Sequence, residues 1–414
     1  MRILAGIRRS LEPTRPRVAG NFGPGAGRLQ FVDPPSRVVE HSHSPCPVPR
    51  RLRLWRALTP WGAGQALRLP RSSCVYAAIL TCLSIPKVFA GESIPLSNSQ
   101  QKFVDELAAK SRSAEVEHAA VIAGADGWFF LSSDIRFLSV GQFWGADAAK
   151  VSRAHKPESA DPIPAIVDFH EQLKKRGIDL LLMPVPPKAA IYPEKILPDV
   201  DLHGETAAPY LARFYDELRK REIDVIDLAP VFLQNRASEH APVFCKTDSH
   251  WSGFGCVLAA QTIKEKIHEK LAGQPRKNYA AEWKETTIKG DLGDLAGANA
   301  KKLEPEKIAV RTGAAINPDP NSPLLIIGDS HTLVFHDFLA EKSGLLDQLA
   351  YEIGFAPDLI GTRGSGATSV RVSLYRRAKK DPEYLAKKKI IVWCFAAREF
   401  TESDQGWDKV PIGQ

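Results

Sequence analysis

Amphipathic helical patterns alternate with short apolar runs from about residue 97 onward, and this alternation limits the possible folds more than any other feature. The helical pattern at 164–177 precedes the apolar run IDLLLMPVPP at 178–187, and a second helical pattern at 208–222 precedes the run at 223–232. A nearly continuous apolar run of this length is typical of a parallel strand that is buried on both faces. The alternation therefore predicts an α/β fold with a mostly parallel central sheet.

The pattern is interrupted at 274–322, where charged residues, Gly and Pro indicate an irregular excursion or lid. Beyond it the pattern resumes. The other elements that the sequence predicts are a helix at 97–111, a strand–turn–strand at 121–131, a helix at 251–271, a strand at 322–330, a helix at 331–344, a Gly-rich loop at 361–368, a helix at 369–380 and a strand at 388–400.

Positive charge is concentrated in residues 1–90, which hold 14 Lys and Arg against 3 Asp and Glu, whereas the rest of the chain holds 41 against 45. Residues 1–65 are rich in Arg, Pro and Gly without a helical or strand period, which predicts disorder. One interpretation is a basic arm for nucleic acid. The lack of a Lys cluster or interleaved aromatic residues favours translation from upstream of the true start, and we expect no nucleic-acid partner.

Residues 66–90 have the parts of a secretory signal peptide: a basic start, an apolar stretch at 72–86, and Val88 and Ala90 in an A-x-A-like arrangement. The apolar stretch is shorter than the roughly 20 residues that span a bilayer, which favours cleavage over retention as an inner-membrane anchor. We therefore predict a periplasmic protein whose folded domain occupies 91–414.

Three of the six cysteines fall in this predicted domain, and none has Cys-x-x-Cys or zinc-type spacing. Cys245 and Cys256 either form a disulfide, which an oxidising compartment permits, or are buried as small apolar side chains. We predict no metal and no cofactor.

The tripeptide Asp-Ser-His occurs at 248–250 and again at 329–331, and it contains the three side chains of a hydrolytic triad. The second copy follows the apolar run LLII and Gly328. This order puts the Ser330 hydroxyl at the carboxyl end of a strand and at the N-terminus of the predicted helix, where its N–H can stabilise an oxyanion. A helix N-cap produces the same pattern, so Gly-Asp-Ser alone does not establish catalysis.

Ser330 needs a base, and His331 is poorly placed because successive residues point about 100° apart around a helix. Asp248 and His250 share one face of an extended segment, so the carboxylate can orient the imidazole while the other ring nitrogen faces outward. Two alternatives remain open. The pair can be an N-cap and a surface residue before the helix at 251–271, or two metal ligands, although no third ligand follows at a recognisable spacing.

Six sequence blocks together resemble the alginate O-acetyltransferase family of the AlgJ/AlgX type, whose domain is a rearranged SGNH-hydrolase fold. The blocks are GADGWFFL at 124–131, GIDLLLMPVPPK at 177–188, KTDSHWSGFG at 246–255, GDLGDLAG at 290–297, IIGDSHT at 326–332 and IIVWCFAAREF at 390–400. In ordinary SGNH hydrolases the Gly-Asp-Ser block comes first, whereas here, as in this family, it follows the Asp/His block. The resemblance implies a three-layer fold with a mostly parallel central sheet.

The same resemblance implies Asp248 as the orienting carboxylate, His250 as the base and Ser330 as the nucleophile. The Asn of the usual SGNH oxyanion hole cannot be identified, and we expect the N–H groups of Ser330 and Gly364 in its place.

Lys188, Arg363 and Arg398 lie at predicted strand ends or in the Gly-rich loop, and each is a candidate to bind a uronate carboxylate of the substrate. Solvated surface residues or structural ion pairs are the alternatives for each of them.

By resemblance, the function is serine-based O-acetylation of an exopolysaccharide in the periplasm. Acetyl-CoA is cytoplasmic, so the resemblance implies a membrane-bound O-acyltransferase as the acetyl donor, alongside the inner-membrane polysaccharide export machinery. Two alternatives remain: a carbohydrate acetylesterase with the same triad, and a non-catalytic glycan-binding subunit of a secretion complex.

Overall fold

The computed structural model describes residues 95–296, 303–364 and 366–412. The predictions for 1–65 and 66–90 lie outside these residues. Within them, none of the helices combines the length and the apolarity that crossing a bilayer requires.

Five parallel strands form the central sheet in the order β4-β3-β9-β7-β8, and two antiparallel pairs, β1-β2 and β5-β6, form separate sheets. The strands are β1 Val121–Ala123, β2 Phe129–Leu131, β3 Asp179–Val185, β4 Asp224–Val225, β5 Ala281–Ile288, β6 Glu306–Gly313, β7 Leu324–Gly328, β8 Asp358–Gly361 and β9 Ile390–Ala396. Every residue of β7 and β9 is buried. Because successive side chains of a strand point to opposite faces, the sheet is covered on both sides, as the three-layer α/β prediction requires.

Helices supply the outer layers and the connections. They are α1 Asn98–Val116, α2 Ser132–Ser139, α3 Ala148–Val151, α4 Pro162–Lys174, α5 Lys188–Ile191, α6 Pro193–Ile196, α7 Pro209–Arg219, α8 Ala229–Asn235, α9 Gly253–Ile267, α10 Leu292–Leu295, α11 Leu345–Ile353, α12 Ser369–Lys380 and α13 Glu399–Glu402. Ser97 opens α1 with a capping box, and the side chain of Ser252 caps α9.

The carboxyl ends of β3, β9, β7 and β8 meet at one edge of the sheet, since the strands are neighbours and parallel. Four of the predicted site residues follow these strand ends: Lys188, Arg398, Ser330 and Arg363. This edge is where ligands bind in open α/β sheets.

Three sequence-based predictions are wrong in ways that bear on this edge. The predicted strand at 223–232 contributes only Asp224–Val225 to the sheet, and Ala229–Asn235 is a helix. The side chain of Asp227 accepts the N–H of Ala229, and Pro230 occupies the first turn, so local capping overrides the apolar pattern.

The segment at 274–322, which the sequence predicted to be irregular, contains the β5-β6 hairpin, with Ala281 opposite Gly313 and Ile288 opposite Glu306. Most of β5 is exposed, which explains why no apolar alternation marks it. The buried positions of β6 alternate, so the hairpin has one covered face.

The predicted helix at 331–344 does not form. A single 3-10 turn at Ser330–Thr332 is followed by an irregular path in which Phe335, Leu339 and Lys342 have positive φ, a region that interrupts a right-handed helix. Ser330 therefore does not lie at the N-terminus of a long helix, and the helix-dipole argument for its activation is wrong.

Candidate active site

Asp248 and His250 are held by a tight turn in the loop before α9. The Oδ1 atom of Asp248 accepts the N–H of His250 at 3.0 Å and lies 2.7 Å from Nδ1 of the His250 ring. Both side chains are buried. Burial alone raises the pKa of Asp248, but the hydrogen bond and the charge of His250, with the N–H groups of Asp291 and His250, outweigh it, so the pKa is lowered.

Ser330 completes a hydrogen-bonded chain with this pair. Its Oγ lies 2.7 Å from Nε2 of His250. The order of atoms is carboxylate, imidazole and hydroxyl, with each imidazole nitrogen facing a different partner. This arrangement allows His250 to take the hydroxyl proton while Asp248 fixes the tautomer.

The second Asp-Ser-His copy has the same turn geometry but faces inward. The Oδ1 atom of Asp329 accepts the N–H of His331 at 2.9 Å and lies 3.1 Å from its Nδ1, and Oδ2 accepts the N–H of Ala396 at 2.7 Å. Burial lowers the pKa of His331, which favours the neutral ring. This second pair ties the turn that carries Ser330 to the end of β9, while its ring packs 4.8 Å from the ring of His250.

Sequence reasoning missed Asp291, which lies in the GDLGDLAG block. Its Oδ1 accepts the N–H of Ser249 at 2.7 Å, its Oδ2 accepts the Ser249 hydroxyl at 2.6 Å, and its own N–H donates to Oδ2 of Asp248 at 2.9 Å. A Cβ on Gly290 would collide with the Thr247 carbonyl, so only glycine permits this approach. The sequence feature that could have identified Asp291 is the charged, Gly-rich block GDLGDLAG, which lies within a segment that was predicted to be irregular.

Asp248, His250 and Asp291 also bear on the metal-pair alternative, since their ligand atoms lie within 4.8 Å of one another. Both carboxylates already accept hydrogen bonds from the loop on each oxygen: Asp248 from His250 and Asp291, and Asp291 from Ser249. A metal would have to displace these donors. The hydrogen bonds favour the triad over the metal pair.

The environment of Lys188 argues against the predicted direct contact with substrate. The side chain is buried, and Nζ donates to the carbonyls of Phe129 at 2.8 Å, Lys246 at 3.3 Å and Asp248 at 2.7 Å. These three bonds use all the protons of the ammonium group. Burial lowers the pKa of Lys188, as expected for a lysine removed from solvent.

Glu306 at the start of β6 holds the same loop from another side. Its Oε1 accepts the N–H of Lys246 at 2.8 Å, and its Oε2 accepts the N–H and the hydroxyl of Thr247 at 2.9 and 3.0 Å. The hairpin that was not predicted therefore anchors the loop that carries Asp248 and His250.

The two predicted arginines lie in different environments. Arg363 is exposed, and its guanidinium stacks 4.5 Å from the ring of Phe338, which in turn lies 5.9 Å from the ring of His250. Arg398 is mostly buried and pairs with Asp134 at 3.2 Å. Burial lowers the pKa of Arg398, but Asp134 and Asp329 outweigh that effect and raise it. A substrate-binding role for each arginine stays a prediction.

The two predicted oxyanion donors also differ in their surroundings. Among the described residues, the N–H of Ser330 donates to no other group, and it belongs to the residue predicted as the nucleophile. Gly364 is exposed with φ of 89°. Its role as a donor stays a prediction.

Cys245 and Cys256 are buried free thiols. Of the two alternatives for these cysteines, the structure therefore favours burial as small apolar side chains over a disulfide.

Comparison with known proteins gives concordant results. The family described as "SGNH hydrolase-like domain, acetyltransferase AlgX" matches residues 121–345, more than half of the chain. A probable alginate O-acetylase AlgJ of Pseudomonas aeruginosa is 31% identical over 176 residues, which are 42% of this chain and 40% of that protein. The corresponding protein of Pseudomonas putida is 24% identical over 299 residues, 67% of this chain and 69% of that protein.

The first of these matches thus spans about two fifths of the relative's length. Among solved structures, the O-acetyltransferase domain of Pseudomonas putida AlgJ superposes with a TM-score of 0.52 at 21% identity, over 68% of this chain and 92% of that one. At this identity the superposition supports the fold alone.

Proposed function

This chain belongs to the family of SGNH hydrolase-like acetyltransferase domains of the AlgX type, and we propose that it transfers an acetyl group to a hydroxyl of an alginate-like exopolysaccharide. The observation that carries this proposal is the hydrogen-bonded chain from Asp248 through His250 to the Ser330 hydroxyl. The names of the relatives support the acetyl group and the polysaccharide as substrates.

The reaction proceeds in two steps. His250 Nε2 takes the proton of the Ser330 hydroxyl as Oγ attacks the acetyl carbonyl, and the bond to the donor's oxygen or sulfur breaks while His250 returns the proton to that leaving group. A sugar hydroxyl then gives its proton to His250 and attacks the acetyl-Ser330 ester, and His250 returns that proton to Oγ of Ser330 as the ester bond breaks. Asp248 stabilises the imidazolium in both steps.

We assign oxyanion stabilisation to the N–H of Ser330 and, from the loop at 361–364, to Gly364. Such donors act on the charge that develops at the carbonyl oxygen during each attack. Ser330 N–H supports this role because none of the described groups competes for it.

Arg363 is the cation best placed to receive a uronate carboxylate. Its side chain is exposed and stacks on Phe338 beside the site. By contrast, the ammonium group of Lys188 donates its protons to backbone carbonyls, and Arg398 pairs with Asp134. A guanidinium binds a carboxylate through two parallel hydrogen bonds, so it suits a uronic acid chain better than a neutral glycan.

We further propose a periplasmic location, with a membrane-bound O-acyltransferase as the acetyl donor and the inner-membrane export machinery as a partner. The export-signal pattern at 66–90 supports the location. Because acetyl-CoA stays in the cytoplasm, a domain on the other side of the membrane needs a donor that carries acetyl groups across it.

The experiment uses the purified chain, an activated acetyl ester, and a uronate polysaccharide or a neutral glucan as acceptor. We expect mass spectrometry to find acetylated uronate oligosaccharides and little acetylated glucan, and Ser330→Ala to abolish both transfer and ester cleavage. Free acetate as the sole product, with no acetylated sugar, would show that the protein is an acetylesterase. If neither the wild type nor Ser330→Ala cleaves the ester faster than its spontaneous hydrolysis, both enzymes are excluded and a binding subunit is favoured.

A further inference from the structure

Asp291 makes three hydrogen bonds with the loop that carries His250, the candidate base. Its carboxylate accepts both the N–H and the hydroxyl of Ser249, the residue between Asp248 and His250, and its own N–H donates to Oδ2 of Asp248. Asp291 directly precedes α10, 41 residues after His250, so none of these contacts is a local turn.

The contacts complete the restraint of the Asp248 carboxylate. Oδ1 of Asp248 is held by the N–H and ring of His250, which alone would let the carboxylate rotate about its Cβ–Cγ bond. The N–H of Asp291 holds the other oxygen, Oδ2, at 2.9 Å. A misplacement of about 1 Å at such a site costs roughly 100-fold in rate, so this restraint bears directly on turnover.

Asp291 also contributes charge. Its Oδ2 lies 4.0 Å from Nδ1 of His250. The other groups that face this ring are Asp248, the neighbouring ring of His331, and Arg363 through Phe338. A second carboxylate stabilises the imidazolium that forms when Ser330 attacks, which adds to the effect of Asp248.

We propose that Asp291 is a positioning residue for the triad, holding Asp248 through its N–H and the Asp248–His250 turn through its carboxylate. This inference rests on the proposed function, because it assigns Asp291 to the same proton transfer. It makes Asp291, directly before α10, part of the catalytic apparatus.

The test compares Asp291→Asn with Asp294→Asn. The first substitution keeps an acceptor for the Ser249 N–H and removes the charge. Asp294, three residues further along the chain, pairs at 2.9 Å with exposed Lys289 and touches no triad residue in the described structure. We measure kcat and KM for hydrolysis of p-nitrophenyl acetate over pH, and the Tm of each variant.

We expect Asp291→Asn to lower kcat about 10- to 100-fold with little change in KM or Tm. The acidic limb of its pH–rate profile should move to lower pH, because the imidazolium loses a negative neighbour. Asp294→Asn should match the wild type in every measurement. Wild-type kcat and pH profile in Asp291→Asn would overturn the inference, and so would a loss of kcat matched by a fall in Tm.

Ser249→Ala separates the restraint from the charge. It removes the hydrogen bond of the hydroxyl to Asp291 and its 3.3 Å contact with Nδ1 of His250, and it leaves the carboxylate in place. We therefore expect kcat to fall less than in Asp291→Asn and the pH profile to stay that of the wild type. A larger loss in Ser249→Ala than in Asp291→Asn would contradict the role of the charge. Ser330→Ala separates a failure of the proposed function from a failure of the inference about Asp291. If Ser330→Ala retains turnover, the proposed function fails. If Ser330→Ala is inactive and Asp291→Asn is normal, only the inference about Asp291 fails.

Discussion

The Oγ of Ser330 lies 2.7 Å from Nε2 of His250, although 80 residues separate the two in the chain. Ser330 follows β7, an inner strand of the sheet, and His250 lies in a loop fixed by Lys188, Glu306 and Asp291. The contact therefore exists only when the sheet, the loop and the β5-β6 hairpin are assembled.

Asp248→Asn should lower kcat about 10³- to 10⁴-fold while the protein stays folded. The amide offers Nδ1 of His250 a poorer acceptor and no charge, so the imidazole loses both its fixed tautomer and the partner of its imidazolium. Stopped-flow measurement of p-nitrophenol release, with Tm as the control for folding, checks this. Activity within tenfold of the wild type would show that Asp248 does not orient the base.

Arg363→Gln should raise KM for a uronate polysaccharide about tenfold and leave hydrolysis of p-nitrophenyl acetate unchanged, since only the former substrate carries a carboxylate. Initial rates with both substrates measure the difference.

Arg219→Gln is the matched control for this variant. Arg219 is also exposed and also stacks on an aromatic ring, that of Tyr215 at 5.9 Å, but it ends α7 before β4 begins, at the opposite edge of the sheet. It should leave both KM values unchanged. Equal effects of the two variants would indicate a general electrostatic contribution and not a substrate contact at Arg363.

Lys188→Met should lower the free energy of unfolding by about 2–4 kcal/mol, because three carbonyls lose a buried donor while the volume of the side chain is nearly kept. Urea denaturation measures it. Lys195→Met, which removes a surface pairing with the exposed Asp126, should cost less than about 1 kcal/mol. A Lys188→Met variant as stable as Lys195→Met would contradict the structural role given to the buried ammonium.

His336→Gln should destabilise the protein in a pH-dependent way. Burial lowers the pKa of His336, but the hydrogen bond and charge of Asp347, at 2.9 Å, outweigh it and raise the pKa. A raised folded-state pKa gives stability that is fully present below the ordinary value of 6.5 and is lost as pH rises through the folded value.

The difference in unfolding free energy between wild type and His336→Gln should therefore be about 1.5–3 kcal/mol near pH 5.5 and smaller at pH 9. Urea titrations at the two pH values measure it. A difference that stays constant or grows with pH would show that the charged pair is not formed.

The apolar runs at 178–187 and 388–400 were sufficient to predict the buried strands β3 and β9, because a strand covered on both faces is apolar along nearly its whole length. The segments at 274–322 and 331–344 were predicted incorrectly for opposite reasons. The first contains a hairpin with an exposed strand that shows no alternation, and the second has a helical composition but is interrupted by residues with positive φ.

The pairing of Asp248 and His250 was predicted from their spacing of two, although the segment is a tight turn and not extended as predicted. The contributions of Asp291 and Glu306 were not predictable from spacing, since these residues are distant in the chain and reach the loop only through the fold. Lys188 was misassigned because the sequence shows its position after a strand but not the three carbonyls that surround it.

Mass spectrometry of the chain quenched during turnover of an activated acetyl ester tests the central claim most directly. The account predicts one acetyl group on the peptide that contains Ser330, no such adduct in Ser330→Ala, and much slower adduct formation in His250→Ala. An acetyl group on another residue, or formation at the wild-type rate without His250, would contradict it.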